Sequence, residues 1–183
     1  LRRILASPAH DLHFRALMDE GRVLLVNLAK GRLGEDSSHI LGGFLVSTLG
    51  LAAYSRADIP EKERRPFFVY VDEFQNFTTL AFVNMLSELR KFGVGLTVAH
   101  QHMHQLDPDI RHAILGNVAT LISFRVGPED ASVLAKEFQP KIEVEDLLNL
   151  PNHRIYLKLM IGGMPSRAFS AATMRLNGVS FLS

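Results

Sequence analysis

Short apolar runs alternate with longer helical stretches along the chain, which is the pattern typical of an α/β domain. Four apolar runs are predicted strands: 23–28, 67–71, 95–100 and 119–126. The run 67–71 is uninterrupted and ends at two acids. Such a run predicts a strand buried on both faces, in the centre of a parallel sheet.

The stretches between these runs have helical patterns. Residues 40–54 are apolar nearly all round, which predicts a helix buried on most of its surface and capped by Asp36 or Ser37. A charged, proline-bounded connection follows over 55–66. Between 82 and 92 the apolar positions share one helical face.

The C-terminal part adds a short helix and a turn. Residues 131–138 predict a helix opened by two acids, Glu129 and Asp130. Residues 155–161 and 168–174 flank a Gly-Gly-Met-Pro turn, which predicts a β-hairpin at the sheet edge. The whole pattern predicts a mostly parallel, doubly wound sheet with a C-terminal hairpin, in a single partial domain over 1–183.

Composition narrows the class of protein. With 183 residues, 47% of them hydrophobic, the chain can bury one sizeable core. Its net charge of +1 argues against a protein that coats nucleic acid with a basic surface, and the lack of cysteine excludes disulfides and thiolate metal sites. No apolar run is expected to cross a bilayer, and no secretory signal opens the chain. Because it starts at Leu1 within structured-looking sequence, we expect a fragment.

Two adjacent acids, Asp72 and Glu73, follow the predicted strand 67–71 directly. Ligands of open α/β sheets bind beyond the C-terminal ends of the strands. Acids near an apolar core are costly without a cation, and a nucleotide-bound Mg²⁺ is the natural candidate. Asp72 would hold the ion, directly or through water, and Glu73 would polarise the attacking water. The alternative is that both acids only cap the following helix.

Two more polar residues bear on this hypothesis. Gln101 follows the predicted strand 95–100 and could contact a terminal phosphate or the water, although an ordinary turn glutamine has the same pattern. Arg90 lacks a carboxylate at i−3 or i−4, so it suits an arginine finger that acts on a neighbouring subunit. A solvated surface arginine is the alternative for Arg90.

Alternating histidines follow the same strand. His100, His102 and His104 would share a face if the chain stayed extended, as a zinc site needs. Only Asp107 and Asp109 are near enough in sequence to complete such a site. Solvated loop histidines are therefore the preferred interpretation, with metal binding as the alternative.

The order and spacing of these segments resemble the ATPase core of type IV secretion coupling proteins, the TraG/TraD-like conjugation motors of the HerA/FtsK group. The matching segments are 19–31, 67–77, 87–93, 99–101, 116–127 and 130–131. Each motif is soft, but several in the same order are together fairly specific. The resemblance covers roughly residues 10 to 175 and implies a RecA-like P-loop NTPase core.

The resemblance also implies roles for individual residues. Asp72 and Glu73 would be the Walker B pair that serves Mg²⁺ and the lytic water. Gln101 would be the sensor, and Arg90 the finger that reaches a neighbouring subunit. Arg125, a second arginine at a strand end, is a less favoured finger candidate.

One feature of the family is missing. A Walker A loop needs Gly-x-x-x-x-Gly-Lys followed by Ser or Thr, and no glycine of this chain precedes a lysine. The segment 31–36 contains glycine but is acidic where a phosphate would sit. We therefore expect the loop upstream of the chain, and no ATP hydrolysis by the fragment alone.

The resemblance implies an ATP-driven DNA-translocating motor subunit that uses ATP and Mg²⁺ in a homo-oligomeric, hexameric ring. Its expected partners are DNA and secretion-channel proteins, with no small-molecule substrate other than ATP. A cytoplasmic location is expected, with a possible upstream tether to the inner membrane. The alternatives are a protein-secretion ATPase and a non-catalytic RecA-like docking module.

Overall fold

The computed structural model describes residues 12–77 and 80–174. The chain divides into two compact units, the first formed by Leu1–Gln101 with Gln105–Asn117 and the second by His102–His104 with Val118–Ser183. This division concerns the packing of the chain, so a single functional domain over 1–183 stays a prediction.

The first unit holds five helices and a parallel strand pair within its described residues. In chain order these are α1 (Phe14–Glu20), α2 (Lys30–Leu33), α3 (Glu35–Ser55), β1 (Phe67–Val71), α4 (Leu80–Glu88), β2 (Val94–Val98) and α5 (Pro108–Asn117). Strands β1 and β2 pair in parallel, from Phe67 opposite Val94 to Val71 opposite Val98. Both strands therefore end at the same edge, where the candidate site lies.

Strand β1 is covered on one face only within the described chain. Phe68 and Tyr70 are 65% and 75% exposed, whereas the alternate side chains Phe67, Val69 and Val71 are partly buried. Strand side chains point alternately to opposite faces, so one whole face is open. The predicted burial of β1 on both faces is wrong for this chain.

The predicted strand 23–28 is not formed. The chain from 22 to 29 has no regular secondary structure, and Val23 and Leu25 are 85% and 90% exposed. An apolar run favours a strand, but a strand needs the backbone of a neighbour for its hydrogen bonds. No strand of the described residues pairs with this segment.

Helix α3 differs from its prediction in its start and in its burial. It begins at Glu35 after Gly34 without a side-chain cap, so Asp36 and Ser37 lie inside the first turn. Ile40, Phe44 and Leu51 are 49%, 60% and 68% exposed. The expected burial on most of the surface is therefore wrong within this chain.

The same helix is apolar and long enough to cross a membrane by length and composition, with a window of mean hydropathy 1.3. This finding corrects the expectation that no segment reaches that length. Core helices of proteins without any membrane span pass the same test.

The helix predicted between 82 and 92 is confirmed. Helix α4 continues as a 3-10 turn over Leu89–Phe92 and ends at Gly93, whose φ of 74° lies in the left-handed region that glycine adopts readily. Strand β2 begins next and ends at Val98, earlier than predicted. His100 and Gln101 consequently lie in the loop after the strand.

The second unit is antiparallel. Its described elements are β3 (Leu121–Ser123), α6 (Pro128–Phe138), α7 (Val144–Leu148), β4 (Arg154–Lys158), β5 (Met160–Ile161), β6 (Met164–Pro165) and β7 (Phe169–Ala172). The sheet order is β3-β4-β7, and β5 pairs with β6. The helix predicted over 131–138 is confirmed and starts earlier, with a proline in its first turn.

The predicted hairpin is also confirmed. Strands β4 and β7 pair antiparallel, from Arg154 opposite Ala172 to Leu157 opposite Phe169. At the tip, Gly162 and Gly163 join β5 to β6 with φ of 58° and 82°, the conformation that two-residue hairpin turns require. The α/β class is thus confirmed, with parallel pairing in the first unit and antiparallel pairing in the second.

Candidate functional site

Two backbone hydrogen bonds join the chain beyond β1 to the chain beyond β2. The amide of Ala99 donates to the carbonyl of Val71 at 2.9 Å, and the amide of Phe74 donates to the carbonyl of Ala99 at 3.1 Å. Phe74 is 1% exposed and its ring meets the ring of His100 edge-on, with centroids 5.1 Å apart. These contacts hold the acids after β1 beside the loop after β2.

Glu73 lies at the centre of the site. Its Oε1 accepts a hydrogen bond from Nε2 of Gln101 at 2.5 Å, and its Oε2 accepts one from Nε2 of Gln75 at 2.6 Å. The backbone of Glu73 is left-handed, with φ 49° and ψ 42°, and this turn directs the chain away from the strand. The structure therefore brings together Glu73 and Gln101, two of the predicted site residues.

The environment of Glu73 favours its charged form. The hydrogen bonds from Gln75 and then Gln101 lower the pKa of the Glu73 carboxyl below its ordinary value, and the positive charge of Lys30 acts in the same direction. The side chain is consequently an ionised acceptor at neutral pH. Such a group can orient a water molecule and take a proton from it.

Asp72 is the more open of the two acids. Its side chain is exposed, and its Oδ1 accepts a hydrogen bond from the backbone amide of Glu73 at 2.9 Å. Because the carboxylate faces solvent, a hydrated cation can reach it. This position fits the predicted contact between Asp72 and Mg²⁺ through water.

A lysine network borders the same site. Nζ of Lys30 donates to Oε1 of Glu35 at 2.9 Å and to Oδ1 of Asn76 at 3.1 Å. The hydrogen bond from Lys30 lowers the pKa of Glu35. An open polar pocket is lined by Lys30, Glu35, Glu73, Gln75, Asn76 and Gln105. The network therefore forms one wall of the pocket that Glu73 faces.

Sequence reasoning did not assign Lys30, Asn76 or Gln105 to the site. Lys30 precedes Asn76 by 46 residues, so their contact has no local pattern. The only sequence signal for these residues is that Lys30 and Asn76 lie in segments 19–31 and 67–77, which resemble the coupling-protein motifs. In the sequence, the only sign of the cation that pairs with Glu35 is a lysine five residues before it.

The two arginine candidates take no part in these contacts. Arg90 is exposed on the 3-10 turn after α4, and its guanidinium forms no hydrogen bond or ion pair with the part of the chain that the structure describes. Arg125 is also exposed and belongs to the second unit. An exposed arginine of this kind is available to another molecule.

The donor set fits one side of a nucleotide site. Asp72 and Glu73 suit a hydrated Mg²⁺ and an attacking water, respectively. A phosphate cradle of the Walker A type does not occur in the sequence, and Lys30 is engaged by Glu35 and Asn76. The residues therefore fit the part of a nucleotide site that binds Mg²⁺ and the attacking water. They do not fit the part that binds the phosphates.

Comparisons with known proteins bear on the family and the fold of this chain. A family model described as the TraM recognition site of TraD and TraG matches residues 66–138. No curated protein sequence matches the chain. The matched segment begins just before β1 and ends with α6, so it contains the acids, Arg90 and Gln101.

Solved structures are similar over a larger part of the chain. The unbound bacterial conjugative coupling protein TrwBdeltaN70 has a TM-score of 0.63 at 13% identity, over 76% of this chain and 38% of its own. TrwB in complex with ADP and Mg²⁺ has a TM-score of 0.62 at 14% identity, over 75% of this chain and 37% of its own. The genome packaging NTPase B204 of Sulfolobus turreted icosahedral virus 2, in complex with AMPPCP, has a TM-score of 0.50 at 16% identity, over 68% and 60%.

These likenesses establish the RecA-like fold of P-loop NTPases, as predicted. The chain spans less than two fifths of the TrwB chains that it matches. The family match over residues 66–138 and the shared fold confirm the predicted resemblance to the TraG/TraD-like coupling proteins.

Proposed function

We propose that this chain supplies the Walker B and sensor side of an ATP-driven, DNA-translocating motor of the conjugative coupling type. The observation that carries the proposal is the 2.5 Å hydrogen bond between Glu73 and Gln101, formed at the edge where β1 and β2 end. Ligands of α/β sheets bind at that edge. TrwB, whose fold this chain shares, has been solved with ADP and Mg²⁺.

Glu73 is the catalytic base of the proposed reaction. Its carboxylate is kept ionised by the amides of Gln75 and Gln101, so it can accept a proton from water. ATP would supply the phosphoryl group, and Asp72 would hold the accompanying Mg²⁺ through water. Gln101 bonds directly to Glu73, so a shift of either side chain moves the other.

The assembly is part of the proposal. Arg90 is exposed, and an arginine finger supplied by a neighbouring subunit stabilises charge on the transferring phosphoryl group. This arrangement needs a homo-oligomer, for which we propose a hexameric ring with DNA in the channel and secretion-channel proteins as partners. We place the segment in the cytoplasm, with an upstream tether to the inner membrane.

The test is ATP hydrolysis by the full-length protein with and without DNA. The variant Glu73→Gln should still bind ATP, but its turnover should fall about a hundredfold or more, because general base catalysis contributes that much. The matched control is Glu61→Gln, which changes an exposed glutamate of the loop before β1. Turnover by Glu73→Gln at the wild-type rate would refute the catalytic assignment.

A partner-docking function is the second candidate. The observation that favours it is the family model, which is described as a TraM recognition site and matches residues 66–138. A TraM-type protein should then bind this chain, and Glu73→Gln should leave the affinity unchanged. Binding without any ATP hydrolysis by the full-length protein would favour docking over the motor. ATP hydrolysis that is stimulated by a secreted protein and not by DNA would indicate that the motor transports protein.

A further inference from the structure

Three potential metal ligands come together in the second unit. One ligand atom each from His102, His104 and Asp130 lies within 4.8 Å of the other two. Nδ1 of His102 is 4.0 Å from Oδ2 of Asp130, and the two imidazole rings have centroids 5.3 Å apart. Sequence reasoning considered Asp107 and Asp109 as the acidic ligand, and the fold instead supplies Asp130.

Asp130 is the fixed member of the cluster. It lies in the first turn of α6 and is 5% exposed. Its Oδ2 accepts a hydrogen bond from the backbone amide of Met103 at 3.1 Å. This bond connects the carboxylate to the residue between the two histidines. A ligand held by such an outer hydrogen bond keeps its orientation when a metal binds.

Because Asp130 is buried, a nearby positive charge would stabilise its carboxylate. A buried carboxylate is costly unless it is paired or coordinates a metal. Among the described residues, its ion-pair partner is the imidazole of His102, which carries a charge only when it is protonated. A metal cation held between the carboxylate and the two imidazoles would neutralise Asp130 without that proton.

The two histidines can adjust to a metal. Their side chains are 52% and 51% exposed, so both rings can rotate without disturbing a core. Tetrahedral coordination at metal–ligand distances of about 2.0–2.1 Å places the ligand atoms roughly 3.4 Å apart. Rotation of the two exposed rings would have to close the present spacing of up to 4.8 Å to that distance.

Glu129 is placed to accept a hydrogen bond from the ring nitrogen of His104 that does not bind the metal. Its Oε2 lies 3.7 Å from Nδ1 of His104. With Nε2 of His104 on the metal, the Nδ1–H would donate to Glu129. Metal-bound histidines commonly donate their other ring N–H to a carboxylate, which orients the ring.

From this geometry we propose that His102, His104 and Asp130 form a binding site for a divalent transition metal of the Zn²⁺ class. Two imidazoles and one carboxylate suit Zn²⁺, whereas Mg²⁺ and Ca²⁺ prefer oxygen ligands alone. Three protein ligands leave a fourth position for water. Its ligands are different residues from the acids at the end of β1, so Zn²⁺ binding can be measured without ATP hydrolysis.

The test is direct titration of the untagged chain with Zn²⁺, followed by calorimetry, with excess Mg²⁺ present. We expect one Zn²⁺ per chain, an affinity that Mg²⁺ does not reduce, and visible absorption of tetrahedral Co²⁺ in the same site. His102→Ala and His104→Ala should each weaken Zn²⁺ binding at least tenfold, since even outer-shell changes cost that much. His153→Asn is the matched control, because His153 is an exposed histidine of the same unit and asparagine tolerates its φ of 62°.

Asp130→Asn tests the third ligand, with circular dichroism to verify that the variant folds. Because Asp130 is buried, the two exposed histidines give the decisive comparison if that variant does not fold. Zn²⁺ binding that persists unchanged in the double variant His102→Ala/His104→Ala would overturn the proposal. Equal loss of binding in His153→Asn would overturn it as well.

Discussion

At the scale of single residues, Arg56 shows how a charged side chain can belong to the core. It is fully buried, and its Nε lies 3.0 Å from Oδ1 of Asp19 on α1. Its terminal nitrogens donate to the carbonyls of Phe92 at 2.9 Å and Arg65 at 2.6 Å. The side chain therefore connects α1, the turn after α4 and the segment before β1.

Loss of this guanidinium should be costly. Arg56→Ala leaves the carbonyls of Phe92 and Arg65 without this donor, and leaves Asp19 paired with Arg15 alone. Each buried acceptor left unsatisfied costs about 1–3 kcal/mol. Arg56→Lys keeps the charge but not the planar guanidinium, so the free energy of unfolding should fall less than in Arg56→Ala. Urea unfolding measures both. Arg22→Ala removes an exposed arginine paired with exposed Glu20 and should change the free energy of unfolding by about 1 kcal/mol or less.

Arg56 also marks a limit of sequence reasoning. It lies in the segment 55–66, which was predicted as a charged connection, and nothing in its neighbours indicates burial. Its partners Asp19 and Phe92 are 37 and 36 residues away. The contact between Glu73 and Gln101 was easier to predict, because both residues follow strands and the ends of parallel strands meet at one edge.

At the scale of elements, the successful predictions rest on local patterns. Helix α4 has apolar positions at helical spacing, and the C-terminal hairpin has a Gly-Gly turn between β5 and β6. The predicted strand 23–28 failed because strand formation depends on a partner elsewhere in the chain. The acidic ligand Asp130 was missed for the same reason, since it lies 26 residues beyond His104.

The packing of α3 gives an element-scale prediction. A Cβ on Gly42 would lie 2.1 Å from Cδ1 of Phe77, whereas a Cβ on Gly43 would meet nothing within 4 Å. Gly42→Ala should therefore destabilise the fold by about 1–3 kcal/mol, as overpacking does. Gly43→Ala should stabilise it by up to about 1 kcal/mol, because alanine favours a helix. Thermal unfolding of both variants compares them, and equal melting temperatures would contradict the close packing.

At the scale of the whole molecule, the proposed motor depends on contacts between subunits. The chain spans 38% of the TrwBdeltaN70 chain that it resembles. Arg90 is exposed and would act on a neighbour, while Glu73 would act within its own subunit. The roles of Arg90 and Glu73 can therefore be distinguished by mixing proteins that carry one substitution each.

Full-length Arg90→Ala and Glu73→Gln proteins should each hydrolyse ATP poorly when assembled alone. An equal mixture should recover about a quarter of the wild-type rate, because a finger acting in trans joins an intact Arg90 to an intact Glu73 at that fraction of sites. Steady-state ATPase rates of the separate and mixed proteins measure this. Wild-type turnover by Arg90→Ala alone would remove Arg90 from the site, and a mixture without recovery would place both residues in one subunit.

The backbone at Glu73 has a consequence for how the protein tolerates change. A left-handed conformation at a non-glycine residue costs on the order of 1–3 kcal/mol, and Glu73 adopts it with φ 49°. Glycine or asparagine would relieve that strain but would remove the carboxylate that meets Gln101 and Gln75. Folding and chemistry thus favour different side chains at one position, and selection for stability alone would remove the acid on which the proposed hydrolysis depends.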